Sequence, residues 1–209
     1  MASNVSYLFP LQLQTGQRGL CCGQTGSGKS FLCYRLIPKH GSLCIIDPKR
    51  EFDYADVPIF DDHEKIWRKK PERFIYRPQE SLITDREAYN EVYRFCYMQG
   101  KYFIYTDEVI AVMRGMEPPT YLNICVQLGR SKGITMLFAT QRPARIPANL
   151  VSESQKFYIF TLVYPPDVKR VSEMVPGFTG RMADRRTFEF YDLHSGKPPQ
   201  QTRLRLKGA

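Results

Sequence analysis

Apolar runs of strand length recur along the chain, most of them separated by segments with helical spacing. The runs are RGLCCG, SLCIID, RFIYRP, KYFIYTDE, ITMLFATQ, QKFYIFTL, TFEFYDL and TRLRL. The first several are nearly continuous in apolar side chains, the pattern of parallel strands covered on both faces. Between them KSFLCYRLIPK, TDREAYNEVYRFCYMQG, PPTYLNICVQLGRSKG and PPDVKRVSEMVPG predict helices. Several carry boundary signals: Thr84 before an acidic first turn, Gly100 after a last turn, and prolines at 118–119 and 165–166. Such alternation means β-α-β units, hence an α/β fold with a mostly parallel central sheet flanked by helices. FEFYDL and RLRL alternate apolar and polar positions more cleanly, which places the last two strands in an antiparallel C-terminal edge.

At 209 residues and 43% apolar content the chain suits one domain, and its 15 prolines and 14 glycines are scattered, without a linker, a repeat or a low-complexity tract. The first seventeen residues, MASNVSYLFPLQLQTGQ, hold no charged side chain. They read as an edge strand or, preferred, an uncharged arm (1–17) that docks on a neighbouring subunit, ahead of a single domain over 18–209. No apolar run is long enough to span a bilayer and no basic leader is present, so a soluble, unprocessed protein is expected. The six cysteines each sit inside an apolar run and read as buried thiols in a reducing compartment. His40, His63 and His194 share no ligand spacing, so no metal cluster is indicated.

Charge changes the picture in one respect. The net charge is +9, and residues 110–209 hold 15 Lys/Arg against 7 Asp/Glu, whereas residues 1–109 are nearly balanced. A basic half suits a phosphate backbone as partner, and equally a solubility device.

The candidate chemistry starts at GQTGSGKS, residues 23–30, which fits G-x-x-x-x-G-K-[ST] between a strand and a helix. Backbone amides of Gly23, Gln24, Thr25, Gly26, Ser27 and Gly28 would turn inward around the phosphates of ATP, with the helix N-terminus adding positive charge. Lys29 would reach the β- and γ-phosphates, and Ser30 would hold Mg²⁺. At the end of YFIYTDE, Asp107 would complete the Mg²⁺ site and Glu108 would polarise an attacking water as general base; taken alone, the acidic pair also suits a helix N-cap. A third apolar strand ends in Thr140 and Gln141, at the edge where ligands of open α/β sheets bind. Gln141 either bonds the γ-phosphate or the lytic water, or simply caps its strand. No guanine-reading N-K-x-D, no L-S-G-G-Q and no Arg-rich lid is present.

Taken together, GQTGSGKS, IIDPKREF, YTDEV and LGRSKGITMLFATQRP resemble, in order and interval, the core of the FtsK/HerA superfamily of hexameric DNA-pumping ATPases. The resemblance covers about residues 18–165 and implies a RecA-like P-loop NTPase fold. A bare motor of this size is similar to the genome-packaging ATPases of tailless icosahedral viruses with an internal membrane. It implies a homo-oligomeric ring, a hexamer, acting on double-stranded DNA without sequence preference. Such a motor would work in the cytoplasm of the infected host cell or at a packaging vertex of the virion, beside capsid vertex or viral membrane proteins. It further implies that a neighbouring subunit supplies an arginine to each ATP. Arg130 of LGRSKG is the first candidate, Arg142 and Arg145 the second; a cation at a helix C-terminus is the plainer account of Arg130. Asp47, Pro48 and Lys49 match a superfamily turn for which no catalytic duty follows from the residues; Lys49 and Arg50 would either touch the nucleotide or an adjacent subunit or lie on a surface turn, and the surface turn is expected. Pore contacts would come from MRGMEPP, with Arg114 and Gly115, and from QRPARIPANL; RKKPER and RMADRR read as solvated basic faces. The competing readings are a conjugative or chromosomal DNA pump, a small-molecule phosphotransferase and a nucleotide-gated assembly protein.

Overall fold

In the computed structural model, residues 11–52, 54, 56–175, 178–180, 187–192 and 200–205 are described. Nine strands form one sheet: β1 (Arg18–Cys22), β2 (Leu43–Ile46), β3 (Ile59–Phe60), β4 (Arg73–Tyr76), β5 (Phe103–Thr106), β6 (Thr135–Thr140), β7 (Lys156–Ile159), β8 (Thr187–Asp192) and β9 (Gln200–Arg205). Their order is β3-β4-β2-β5-β6-β1-β7-β8-β9. The seven strands up to β7 run parallel, and β8 and β9 close the far side antiparallel. This is the sheet the apolar pattern predicts. The unforeseen strand is β3, a two-residue edge too short to leave a periodic signal.

Side chains alternate between the faces with the strand period of two. Leu20 and Cys22 of β1 point into one core with Ile46, Tyr89, Phe95 and Val126. Cys21 points into the other with Ile45, Leu32, Cys33 and Tyr158. The first core is covered by α2 (His63–Lys69), α3 (Arg86–Gln99), α4 (Thr120–Leu128), α5 (Ala148–Ser152) and α6 (Pro165–Met174), the second by α1 (Lys29–Leu36). The N-cap of α3 is Asp85, one residue beyond the expected Thr84; its carboxylate accepts from the amides of Glu87 and Ala88. All six cysteines are free and buried. Burial pushes the Cys22 thiol up to about 12, so the residue entering the phosphate loop is not a thiolate.

Residues 1–10 of the expected arm and the basic RMADRR segment lie outside the described residues. Residues 11–17, assigned to the arm by sequence, lie against this chain's own sheet. Leu11 is buried, the Tyr158 hydroxyl donates to its carbonyl, Lys156 Nζ donates to the Gln12 carbonyl at 2.7 Å, and the Gly16 amide donates to Thr135 Oγ1 at 3.0 Å. Apolar Leu11 has a slot beside Tyr158, which is why this stretch packs at home.

Candidate active site

Because the first seven strands are parallel, their C-terminal ends share one edge, and the loops leaving β1, β2, β5, β6 and β7 converge there. The loop after β1 is stitched between its neighbours: the Gly23 amide donates to the Thr140 carbonyl at 3.3 Å and the Gln24 amide to the Thr161 carbonyl at 3.1 Å. A Cβ on Gly23 would come within 2.5 Å of Phe160 Cβ, so the approach admits only glycine. Gly28, at φ 102°, turns the chain into α1 as its N-cap, without a side-chain cap and with no acid in the first turn. The first amides of α1 therefore stay open to an anion. Ser27 Oγ is buried inside the loop without a hydrogen-bond partner, and buried Lys29 folds its Nζ onto the Gln24 carbonyl at 2.9 Å. An orphaned hydroxyl, an uncapped helix end and a lysine satisfied by its own loop fit a polyphosphate.

Asp107 follows β5, buried, with its amide on the Ile46 carbonyl at 2.9 Å and its carboxylate accepting from the Tyr105 hydroxyl at 2.8 Å. Burial pushes its carboxyl above the ordinary value, Asp47 and Glu108 add to that, and Tyr105 and Lys49 oppose it. Such a site gains from a cation. Glu108 occupies the left-handed region at φ 55°, ψ 72°, a conformation that costs a non-glycine residue about 1–3 kcal/mol. That backbone aims its carboxylate across the edge, where it accepts from Thr140 Oγ1 at 2.9 Å, the Gln141 amide at 3.3 Å and Lys49 Nζ at 3.2 Å. Gln141 Oε1 in turn accepts from Thr25 Oγ1 at 2.8 Å. With β6 between β5 and β1, Thr140 and Gln141 bridge the acid to the phosphate loop.

The structure thus brings together Thr25, Gln141 and Glu108, with Asp107 beside them. It also adds Lys49, which the sequence leaves on a surface turn. Asp47 is the structural member of that turn: fully buried, it accepts from the amides of Glu51 and Phe52 at 3.2 and 3.1 Å and pairs with Arg77 at 2.9 Å. The Asp-Pro-Lys sequence is the only local hint, because the Lys49 partner lies 59 residues away.

Arg130 is not brought to this edge. It sits exposed in the turn after α4, at the N-terminal edge of the sheet, where its Cγ would lie 3.1 Å from a Cβ on Gly16. The length of β6, at ~3.3 Å per residue, separates it from this chain's own phosphate loop. Arg142 stays at the C-terminal edge, 3.1 Å from the Asp167 carboxylate and stacked over Tyr164 at 4.3 Å, and Arg145 is exposed on the following turn. Arg114 and Glu117 close a small hairpin through reciprocal backbone bonds of 3.1 and 3.0 Å, with exposed Met116 at its tip.

No family model matches the chain. It is 30% identical over 166 residues to the DNA packaging ATPase P9 of Enterobacteria phage PRD1, a match covering 77% of this chain and 70% of that protein. The chain belongs to the FtsK/HerA superfamily, with the viral DNA-packaging ATPases. It is also 32% identical over 154 residues to the DNA translocase FtsK of Helicobacter pylori, across 60% of this chain. The chain spans only 18% of that FtsK's length. In fold it is similar to the genome packaging NTPase B204 of Sulfolobus turreted icosahedral virus 2, with a TM-score of 0.72 at 14% identity over 90% of this chain and 96% of that one. The strands that lead into Asp107, Gln141 and Gly23, β5, β6 and β1, stand side by side in the sheet.

Proposed function

We propose that the chain is an ATPase that hydrolyses ATP to move double-stranded DNA, packaging a viral genome into a preformed capsid. The carrying observation is the path from Glu108 through the Gln141 amide and side chain to Thr25 of the phosphate loop. It links a would-be general base to the triphosphate cradle through one residue. The loop of residues 23–30 holds the nucleotide: backbone amides, the α1 N-terminus and Lys29 Nζ bind the phosphates. Ser30 and Asp107 would hold Mg²⁺, which would supply neutralisation of the charge on the phosphates. Glu108 orients a water in line with the γ-phosphorus and takes its proton as the new P–O bond forms. The bond to the β,γ-bridging oxygen breaks with its electron pair leaving on ADP. Gln141 touches both the base and the loop, and so carries the change at the γ-position to the QRPARIPANL segment.

Arg130 cannot serve its own chain's nucleotide, and its exposure on the opposite edge suits a finger inserted into the next subunit of a homo-oligomeric ring, of hexameric size in this reading. The basic excess beyond residue 110 and the exposed Arg114 and Arg145 suit sequence-independent contact with phosphates. Packaging is preferred over a chromosomal pump because the match to the phage packaging ATPase covers 77% of this chain against 60% for FtsK. Such a motor would act in the infected cell at a capsid vertex, beside capsid or viral membrane proteins; no helix among the described residues is long and apolar enough to cross a membrane.

An ATPase assay with and without duplex DNA, run across protein concentration, tests the reading. Turnover per subunit should rise with concentration as rings assemble and rise again with duplex, the second effect falling steeply with salt. Turnover indifferent to both would overturn it.

A further inference from the structure

Three donors hold the Glu108 carboxylate. Its two carboxylate oxygens accept from the Thr140 hydroxyl, the Gln141 amide and the Lys49 ammonium, so little acceptor capacity is left for a water. Of the three tethers, two belong to the rigid end of β6. The third is a four-carbon side chain that is 29% exposed, on a turn whose backbone is clamped by the buried Asp47 and Arg77. Only the Lys49 ammonium can leave without dismantling the edge.

We infer that Lys49 is a positioning residue that withholds Glu108 from water in the resting site and releases it when a phosphate anion draws the ammonium away. The inference rests on the reading of Glu108 as general base. The pair is held at 3.2 Å with its lysine arm 29% exposed, so a polyanion reaching the turn competes for the ammonium directly. The competing phosphate has two sources of one chemistry, the bound nucleotide and the DNA backbone. Assays with ATP alone and with ATP plus linear duplex separate them; the proposal commits to the duplex as the stronger release, since Arg50 beside Lys49 adds a second exposed cation.

The test compares wild type, Lys49→Met, Lys49→Arg and Glu108→Gln by steady-state kinetics, fluorescent-ATP binding and thermal melting. Lys49→Met should raise kcat without DNA about three- to fivefold, the range of a weak ion pair, and leave KM, nucleotide affinity and melting temperature in place. The duplex-stimulated rate should stay near wild type, so the stimulation ratio falls, and Lys49→Arg should restore the low basal rate. A lower basal rate in Lys49→Met, or an unchanged stimulation ratio, overturns the inference. Turnover retained by Glu108→Gln would instead bring down the general-base reading beneath it, so the two failures are distinguishable.

Discussion

Glu108, at the C-terminal edge of the sheet, is held by Lys49, Thr140 and Gln141, whereas Arg130, at the N-terminal edge, is exposed and has no ion-pair partner among the described residues. The contrast extends along both edges. One collects buried acids, an uncapped helix start and a phosphate loop. The other presents Lys101, Lys132 and Arg130 around a cavity of about 700 Å³ and its neighbouring cleft. The parallel sheet dictates this polarity, because strand C-termini and helix N-termini meet at one edge only. Under the proposed function, a site whose acids and phosphate loop are at one edge and whose arginine is at the other would be completed when two copies meet head to tail, a heterologous contact of the kind that generates rings.

The largest expected effect comes from breaking that complementarity. Arg130→Ala should lower turnover by about 10³–10⁵ while fluorescent-ATP binding stays intact. A mixing experiment sharpens the point: Arg130→Ala and Glu108→Gln subunits, each inactive alone, should regain turnover when combined, because some junctions then hold an intact arginine facing an intact acid. Inactive mixtures would show that the two edges do not meet.

Glu108→Gln alone should cost about 10²–10⁴ in kcat, the worth of a general base, with KM little changed because the amide still accepts from Thr140 and Gln141. A single-turnover measurement isolates this step from product release. A loss below tenfold would move the base elsewhere on the edge.

The two edges also differed in how far they could be read from sequence. Gly23 to Ser30, Asp107, Glu108, Thr140 and Gln141 were legible because each group is contiguous and directly follows an apolar strand, so local pattern alone places it. The antiparallel closing strands were legible from their alternation. Lys49 was not, since its partner lies across two loops and only the fold supplies that distance. The position of Arg130 relative to its own phosphate loop likewise depends on α4 returning the chain to the start of β6. Two-residue β3 and the packing of residues 11–17 on the home sheet fall below any periodic signal.

Gly23→Ala probes the C-terminal edge alone. With Cβ placed 2.5 Å from Phe160 Cβ, either the loop or β7 must shift, at a cost of about 1–3 kcal/mol. Melting temperature should fall by about 2–4 °C per kcal/mol, and ATP affinity should fall with it, because the shifted loop no longer aims its amides. A variant that melted and bound ATP as wild type does would show that the loop has slack.

Asp107→Asn should give the smallest effect and the opposite sign. Burial raises the Asp107 carboxyl above its ordinary value, so the unfolded chain gives up this proton at lower pH than the folded one. Stability is therefore lost as pH rises from the ordinary carboxylate value through the raised one, and at neutral pH the ionised Asp107 works against the fold. Asparagine, neutral and of the same shape, removes that penalty and can still accept from Tyr105. The nucleotide-free variant should melt a few degrees above wild type at neutral pH, at about 2–4 °C per kcal/mol, and the gap should close in acid, where Asp107 is protonated in both states. With Mg²⁺ and a non-hydrolysable ATP analogue the order should reverse, because only the carboxylate gains from the cation. A variant melting no higher than wild type at neutral pH would mean that this edge is not strained towards a metal ion, and the contrast with the unburdened opposite edge would lose its electrostatic basis.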